Sequence, residues 1–344
     1  MMEIDGSKKS GSGTILRLSV ALAAITQQPI HITNIRQNRP QPGLKPQHLE
    51  AVLTAGKLCN AKIQGAKLGS RELWFTPQKI EGGIIEALIE TAGSIPMLLL
   101  ATLPICLFAE KPVFLHVAKG GTDTIHAPTI NYLRYVFLPA VKQMGVDAEI
   151  AVQKYGYYPK GMGEATMTVK PNPCLKPLEL ESFGKLTIIK GFSVCTFLTN
   201  RKVAERQART AQDLLSQGGY RADIQIVNDQ SNPLQKGSSI VLWAETDTGV
   251  IIGSDAIGEL RKMSEAVGKE ASEKLITELA VKPTTDVHLA DMLIPYIALT
   301  EGKSVFLTRT ISEHIESNIW LIEKILNVKL TIKKVNNLYR IEKS

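Results

Sequence analysis

A histidine stands where a helix should begin. In the run Thr308-Arg309-Thr310-Ile311-Ser312-Glu313-His314-Ile315, Thr310 and Glu313 have capping-box spacing. Ile311, Ile315, Ile319, Ile322 and Leu326 then recur at helical intervals. This predicts an amphipathic helix with His314 in its first turn. The positive end of a helix attracts phosphate and disfavours protonation of a nearby imidazole. A neutral imidazole beside a phosphate is a nucleophile toward phosphorus. The same pattern also describes a half-buried or solvated histidine, so the other polar clusters decide.

Ser10-Gly11-Ser12-Gly13-Thr14-Ile15-Leu16-Arg17 is a glycine-containing loop feeding a helix. Such a loop lets backbone amides approach phosphate, and Arg17 falls one turn in, where it either clamps an anion or faces solvent. The run is neither a Walker loop nor a dinucleotide fingerprint. Asn34 to Leu49 gathers Arg36, Arg39, Lys45, Gln47 and His48 among Pro40, Pro42 and Pro46. The prolines restrain the loop and reduce the entropy it loses on binding, which favours an anion or an RNA backbone as its ligand. Gly120-Gly121-Thr122-Asp123, Ala127-Pro128 and Tyr132 make a turn and a helix start. Pro128 and Tyr132 could pack on a nucleobase or in the core. Gly156 to Glu164 combines Tyr157, Tyr158 and Lys160 in a tight turn, suited to stacking on single-stranded nucleic acid or to a plain hairpin. Asp286, His288 and Asp291 fall on a helix predicted after Thr284-Thr285, with His288 and Asp291 on one face.

Alternating strands and helices must position these groups. Strands are predicted over 2–5, 29–35, 61–63 and 72–75, with helices over 15–25 and 47–59 between them. A related order follows: strand 82–90, helix 94–108, strand 113–117, helix 128–144, strands 147–153 and 163–169. Ile95 to Ala109 is the most apolar stretch, but Pro96 and Pro104 interrupt it and it is too short to span a bilayer. From Phe183 the character changes. Strands at 186–189, 224–227 and 239–245, a helix over 200–215 and a long helix over 254–279 form a module of domain size. The chain then returns to helix, strand and the His314 helix. The expected class is α/β, in α+β layers.

Composition sets wider limits. The chain has 344 residues, 44% of them hydrophobic, so a substantial core can form and global disorder is excluded. A net charge of +7 spread along the chain favours an anionic partner such as nucleic acid or nucleotide. Cys59, Cys106, Cys174 and Cys195 lie far apart and form no metal-type pair. With a polar, charged N-terminus, they predict free thiols in the cytoplasm. No membrane association and no obligate protein partner are expected.

Taken together, the segments resemble the RNA 3′-terminal phosphate cyclase family. The resemblance rests on Gly11-Ser12-Gly13-Thr14-Ile15-Leu16-Arg17, the Ile35-Arg36 to Gln47-His48 loop, Thr91-Ala92-Gly93-Ser94, and Gly120-Gly121-Thr122 with Ala127-Pro128. Gly156-Tyr157-Tyr158-Pro159-Lys160-Gly161 and the His314 helix complete it, all in family order. It implies three repeated α/β units forming a discontinuous large domain, 1–182 and 281–344, with a smaller α/β domain inserted at 183–280. It implies ATP and a divalent cation, Mg²⁺ or Mn²⁺, as cofactors and RNA with a 3′-terminal phosphate as substrate. A histidine becomes adenylylated, AMP passes to the RNA 3′-phosphate, and the neighbouring 2′-hydroxyl closes a 2′,3′-cyclic phosphate.

By the same resemblance, His314 is the nucleophile. Gly11, Gly13, Arg17, Pro128, Tyr132, His288 and Asp291 serve the nucleotide and its phosphates. Arg36, Arg39, Gln47 and His48 serve the RNA end. The chain departs from the pattern at Ser10, where a metal-binding glutamate is usual, so no metal ligand is assigned. Leu100 and Met292 replace glutamines, His288 stands where a tyrosine is common, and Met162 interrupts a glycine triplet. The alternative is a noncatalytic RNA-binding relative of the family's ribosome-biogenesis branch, although that branch lacks the histidine.

Overall fold

The computed structural model describes residues 1–344. One strand pattern occurs three times. The first unit runs β1 (Met2–Asp5), α1 (Gly13–Thr26), β2 (Ile30–Thr33), α2 (Pro46–Leu58), β3 (Lys62–Gln64) and β4 (Leu73–Thr76). Its sheet order is β1-β2-β4-β3, parallel across β1 and β2 and antiparallel beyond. Ile30 and Ile32 point into the core while their neighbours do not, the alternation a half-covered strand requires.

The second unit runs β5 (Gly83–Leu88), α3 (Ile95–Cys106), β6 (Val113–Gly120) and α4 (Ile130–Tyr132). A π-helical turn at Leu133–Phe137 carries the chain into α5 (Leu138–Lys142), followed by β7 (Asp147–Lys154) and β8 (Gly163–Lys170). The order β5-β6-β8-β7 repeats the first unit's succession of parallel, antiparallel and antiparallel pairs. Pro104 falls in the last turn of α3, where it ends one helix rather than dividing it in two.

The third unit opens with an extended stretch at 178–180, where Glu179 bridges Val305 in parallel. The chain then leaves to build a separate sheet. That excursion comprises β9 (Leu186–Thr196), α6 (Val203–Gln217), β10 (Ala222–Asp229), β11 (Gly237–Thr246), β12 (Ile251–Ile257) and α7 (Ser264–Val281), with sheet order β10-β9-β11-β12. It returns as α8 (Val287–Ala298), β13 (Ser304–Thr308), α9 (Glu313–Leu326), β14 (Leu330–Val335) and β15 (Leu338–Lys343). Counting the 178–180 stretch, the third unit has the same succession of pairings. A single apolar core links the units to the excursion sheet. Tyr135 of the π turn stacks on Trp243 of β11, ring centroids 4.9 Å apart.

Two sequence expectations change here. The helix expected over 254–279 begins only at Ser264, because Ser254 to Ile257 pair with β11. The intervening Leu260 is 93% exposed. The strand expected over 186–189 continues to Thr196, since Ser193, Cys195 and Thr196 are buried in the sheet despite their polarity. No helix is long and apolar enough to cross a membrane.

Candidate active site

A cleft of about 940 Å³ gathers residues from the beginnings of α1, α2, α3, α8 and α9 and from the segment entering α4. Helix starts carry partial positive charge, so their convergence suits a polyanion. Leu18, Ala21, Leu100, Ala101 and Pro295, all on α1, α3 and α8, give the cleft an apolar wall. Of the predicted site residues, all but Gly11 and Tyr132 line it.

His314 is half-buried at the second position of α9. The cap is Ser312, whose hydroxyl accepts from the Ile315 amide at 3.0 Å. The capping-box reading from Thr310 therefore placed the start two residues early. Ser312 also donates to Asp291 Oδ1 on α8, fixing the two helix starts together. Thr14 Oγ1 lies 3.2 Å from His314 Nδ1. Nε2 is thus the ring nitrogen left free for chemistry. Burial, followed by the charges of Arg17 and Arg39, lowers the His314 pKa below its ordinary value. The imidazole is therefore neutral at neutral pH.

Arg17 is half-buried in the cleft wall and pairs with no carboxylate. Burial and then Arg36 bring its pKa down to about 10, so it remains a cation. His48 is buried beside it, and desolvation followed by Arg17, Arg36 and Lys45 lowers its pKa to about 2. It acts as a neutral ring, and its Nδ1 has no partner. Gly13 is needed because a Cβ there would meet His48 Nε2 at 2.2 Å and Arg17 Nη1 at 2.9 Å. The glycine lets two site side chains close over α1.

Arg36 Nη1 donates to the carbonyls of Gln41 and Gly43, each at 2.8 Å, and so folds its own loop. Arg39 is exposed and has no ion-pair partner. Gln47 Oε1 accepts from Ser94 N at 2.8 Å, joining the first unit to the start of α3. Pro128, His288 and Asp291 line the opposite side. Burial raises the Asp291 pKa to about 6 against the opposing effect of its bond from Ser312.

Gly11 and Tyr132 have other work. Gly11 has φ +52, and a Cβ there would overlap the Asn38 side chain. Tyr132 is fully buried, and its hydroxyl donates to both Asp286 carboxylate oxygens, at 2.7 and 2.9 Å. It braces the base of α8 instead of facing a ligand. Asp286 also accepts from Gly253 N at 2.8 Å and from the His288 and Leu289 amides. One carboxylate thus joins the second unit, the third unit and the excursion sheet.

Sequence reasoning missed Asn318 and Asp255, and Thr14 as a partner of the histidine. Asn318 follows His314 by one helical turn, so helical spacing could have found it. Asp255 lines the cleft from β12, where its Oδ2 accepts from Thr129 N at 2.7 Å. Reading that segment as helix hid its role.

The donors present do not fit a metal held by the protein. Ser10 is buried, and its hydroxyl is engaged by Ser12 at 2.9 Å and Ser317 at 2.8 Å. No group of three His, Cys, Asp or Glu side chains is arranged to hold an ion. What the cleft does combine is a neutral imidazole, three arginines and several helix starts, a set suited to nucleophilic attack on a bound polyphosphate.

Residues 8–332 match the sequence profile of the RNA 3′-terminal phosphate cyclase family. The chain is 42% identical over 344 residues to an RNA 3′-terminal phosphate cyclase of Methanosarcina barkeri, covering 100% of both chains. A Pyrobaculum aerophilum protein of the same name is 41% identical over 343 residues, covering 99% of this chain and 97% of that one. A third, from Pyrococcus furiosus, is 41% identical over 333 residues, covering 97% of this chain and 95% of that one.

Proposed function

The chain belongs to the RNA 3′-terminal phosphate cyclase family, and from that premise we propose that it uses ATP to cyclise an RNA 3′-terminal phosphate through an adenylylated His314. The observation that carries the mechanism is the state of the histidine: neutral, held at Nδ1 by Thr14, and beside unpaired arginines. With Nδ1–H donating to Thr14, the Nε2 lone pair attacks the α-phosphorus of ATP. The bond to pyrophosphate breaks, and AMP remains on Nε2. The retained Nδ1 proton makes the modified ring cationic and the imidazole a better leaving group when the AMP phosphorus is next attacked.

An oxygen of the RNA 3′-phosphate then attacks the AMP phosphorus. This frees His314 and leaves RNA joined to AMP through a new phosphoanhydride. The ribose 2′-hydroxyl attacks the 3′-phosphorus, loses its proton and expels AMP, which closes the 2′,3′-cyclic phosphate. Arg17 binds the nucleotide's phosphates. Pro128, His288 and Asp291 hold its nucleoside, and Leu100 and Met292 leave that wall less polar than two glutamines would. Arg36, Arg39, Gln47 and His48 receive the RNA end. A divalent cation would enter on the triphosphate, largely through water and phosphate oxygens.

The large domain is proposed to comprise 1–182 and 281–344, with 183–280 as the inserted domain. The cysteines are free, which suits a cytoplasmic setting. Incubation of a 3′-phosphorylated oligonucleotide with ATP tests the activity, the expected product being an end that phosphatase no longer removes. The occupied Ser10 position supports a second reading, an RNA-binding relative without catalysis. On that reading the oligonucleotide is bound and recovered with its phosphatase-sensitive end.

A further inference from the structure

Outside the cleft, three segments of the first unit form a continuous basic rim: 7–12, 36–45 and 67–71. Asn38 Nδ2 donates to Ser7 O at 3.0 Å, joining the first two segments. Leu44 N donates to Ser70 O at 2.9 Å and Gly69 N to Leu44 O at 2.8 Å, joining the second and third. Gly43 presses so closely on the Gly69 carbonyl that a Cβ would stand 2.3 Å from its oxygen. The three segments contain lysines and arginines and no Asp or Glu.

Lys8, Lys9, Arg39, Lys67 and Arg71 are exposed there, and none forms an ion pair. The nearest carboxylates along the chain, Asp5 and Glu72, form no ion pair with these cations. Asp5 accepts from Ser7 and Asn34, and Glu72 faces His31. The rim is continuous with the cleft through Arg39, Arg36 and Ser12. Leu68, 61% exposed among these cations, offers an apolar face to an unstacked base.

We propose that this rim binds the RNA strand upstream of its terminal phosphate, with Lys8, Lys9, Lys67 and Arg71 on backbone phosphates. This rests on the reading of the cleft as the site for the RNA end. Backbone phosphates repeat along a single strand and are met by unpaired cations, whereas a free nucleotide would be satisfied inside the cleft. The surface therefore fits a polymer and adds affinity only for strands long enough to leave the cleft.

The test is binding of 3′-phosphorylated RNA to the full-length protein across a salt series, using a dinucleotide and a strand of about twelve nucleotides, within the span of single-strand sites. Each phosphate contact on a single strand contributes about 0.7 to the slope of log K against log salt, so Lys67→Gln with Arg71→Gln should reduce the long strand's slope by about 1.4. Dinucleotide binding should be unchanged. Lys329→Gln with Lys334→Gln, exposed cations of the third unit, should leave both slopes unchanged.

An unaltered long-strand slope in the rim variant would overturn the proposal, as would an equal loss for the dinucleotide or an equal loss from the third-unit pair. A rim that serves an acidic protein instead would give the first of these results. Labelling of His314 by ATP without RNA is measured alongside. Its absence in the parent would reject the catalytic reading, while the length-dependent slope would still judge the rim.

Discussion

The first unit and the junction opposite it treat charge in opposite ways. In the first unit, Arg17 and Arg39 are left without carboxylate partners at the cleft, and Arg36 bonds only backbone carbonyls. At the junction of the second unit, third unit and excursion sheet, the carboxylates are engaged. Asp286 holds Tyr132, Gly253 and the start of α8, Asp255 holds the start of α4, and Asp291 receives Ser312. Burying like charges without partners costs stability, and that cost is sustained where a ligand supplies the opposite charge. One cleft thus has an end of cations without carboxylate partners and a bracing end, although both are rich in charged residues.

Removing the central brace should have the largest effect. Asp286→Ala deletes a helix cap and leaves the buried Tyr132 hydroxyl and Gly253 amide unpaired, a loss of about 3–5 kcal/mol. Chemical denaturation of the full chain checks this. A loss of well under about 1 kcal/mol would place Asp286 outside the brace and break the comparison.

Arg17→Met should act in the opposite sense. Stability should be unchanged or slightly higher, since a half-buried cation without a partner is replaced by an apolar chain of similar length. Nucleotide capture should weaken by roughly ten- to a hundredfold, the equivalent of a charge-assisted hydrogen bond of about 1.5–3 kcal/mol. Denaturation and ATP binding, measured on the same preparation, separate the two. Destabilisation together with normal ATP binding would make Arg17 part of the scaffold.

The smallest effect sharpens the electrostatics. The positive charge of Arg39 holds the His314 pKa down, and the neutral ring is the reactive form. In Arg39→Gln the pKa rises, so a larger share of the ring is protonated at a given acidic pH. The acid limb of the adenylylation profile should move to higher pH by a fraction of a unit. A stationary limb would mean that burial and Arg17 hold the pKa down without Arg39.

Much of the arginine-lined end of the cleft is legible in the sequence and much of the bracing end is not. Arg17, Arg36, Arg39 and His48 lie in local segments, each placed by a single loop or helix start. The bracing end depends on contacts between distant segments. Tyr132 meets Asp286 across 154 positions, and Asp255 meets Thr129 across 126. Periodicity cannot report such pairs, so the residues alone leave Tyr132 open between a nucleobase and the core, and only the family resemblance assigns it and Gly11 to the nucleotide. The excursion sheet was legible as a change of character, but the boundary between β12 and α7 was lost because Ile257, Leu260 and Met263 continue an apolar pattern that the fold leaves partly exposed. At α9 the helix itself was found, while its cap depended on which of two nearby hydroxyls reached the Ile315 amide.

The central claim is that the free Nε2 of His314, at the meeting point of the two ends, carries AMP. ATP labelled at the α-phosphate, incubated with the protein and resolved under denaturing conditions, tests it directly. The parent should retain an acid-labile label on a peptide containing His314, and His314→Ala should retain none. An unlabelled parent, or a His314→Ala variant that labels equally well, would contradict the account.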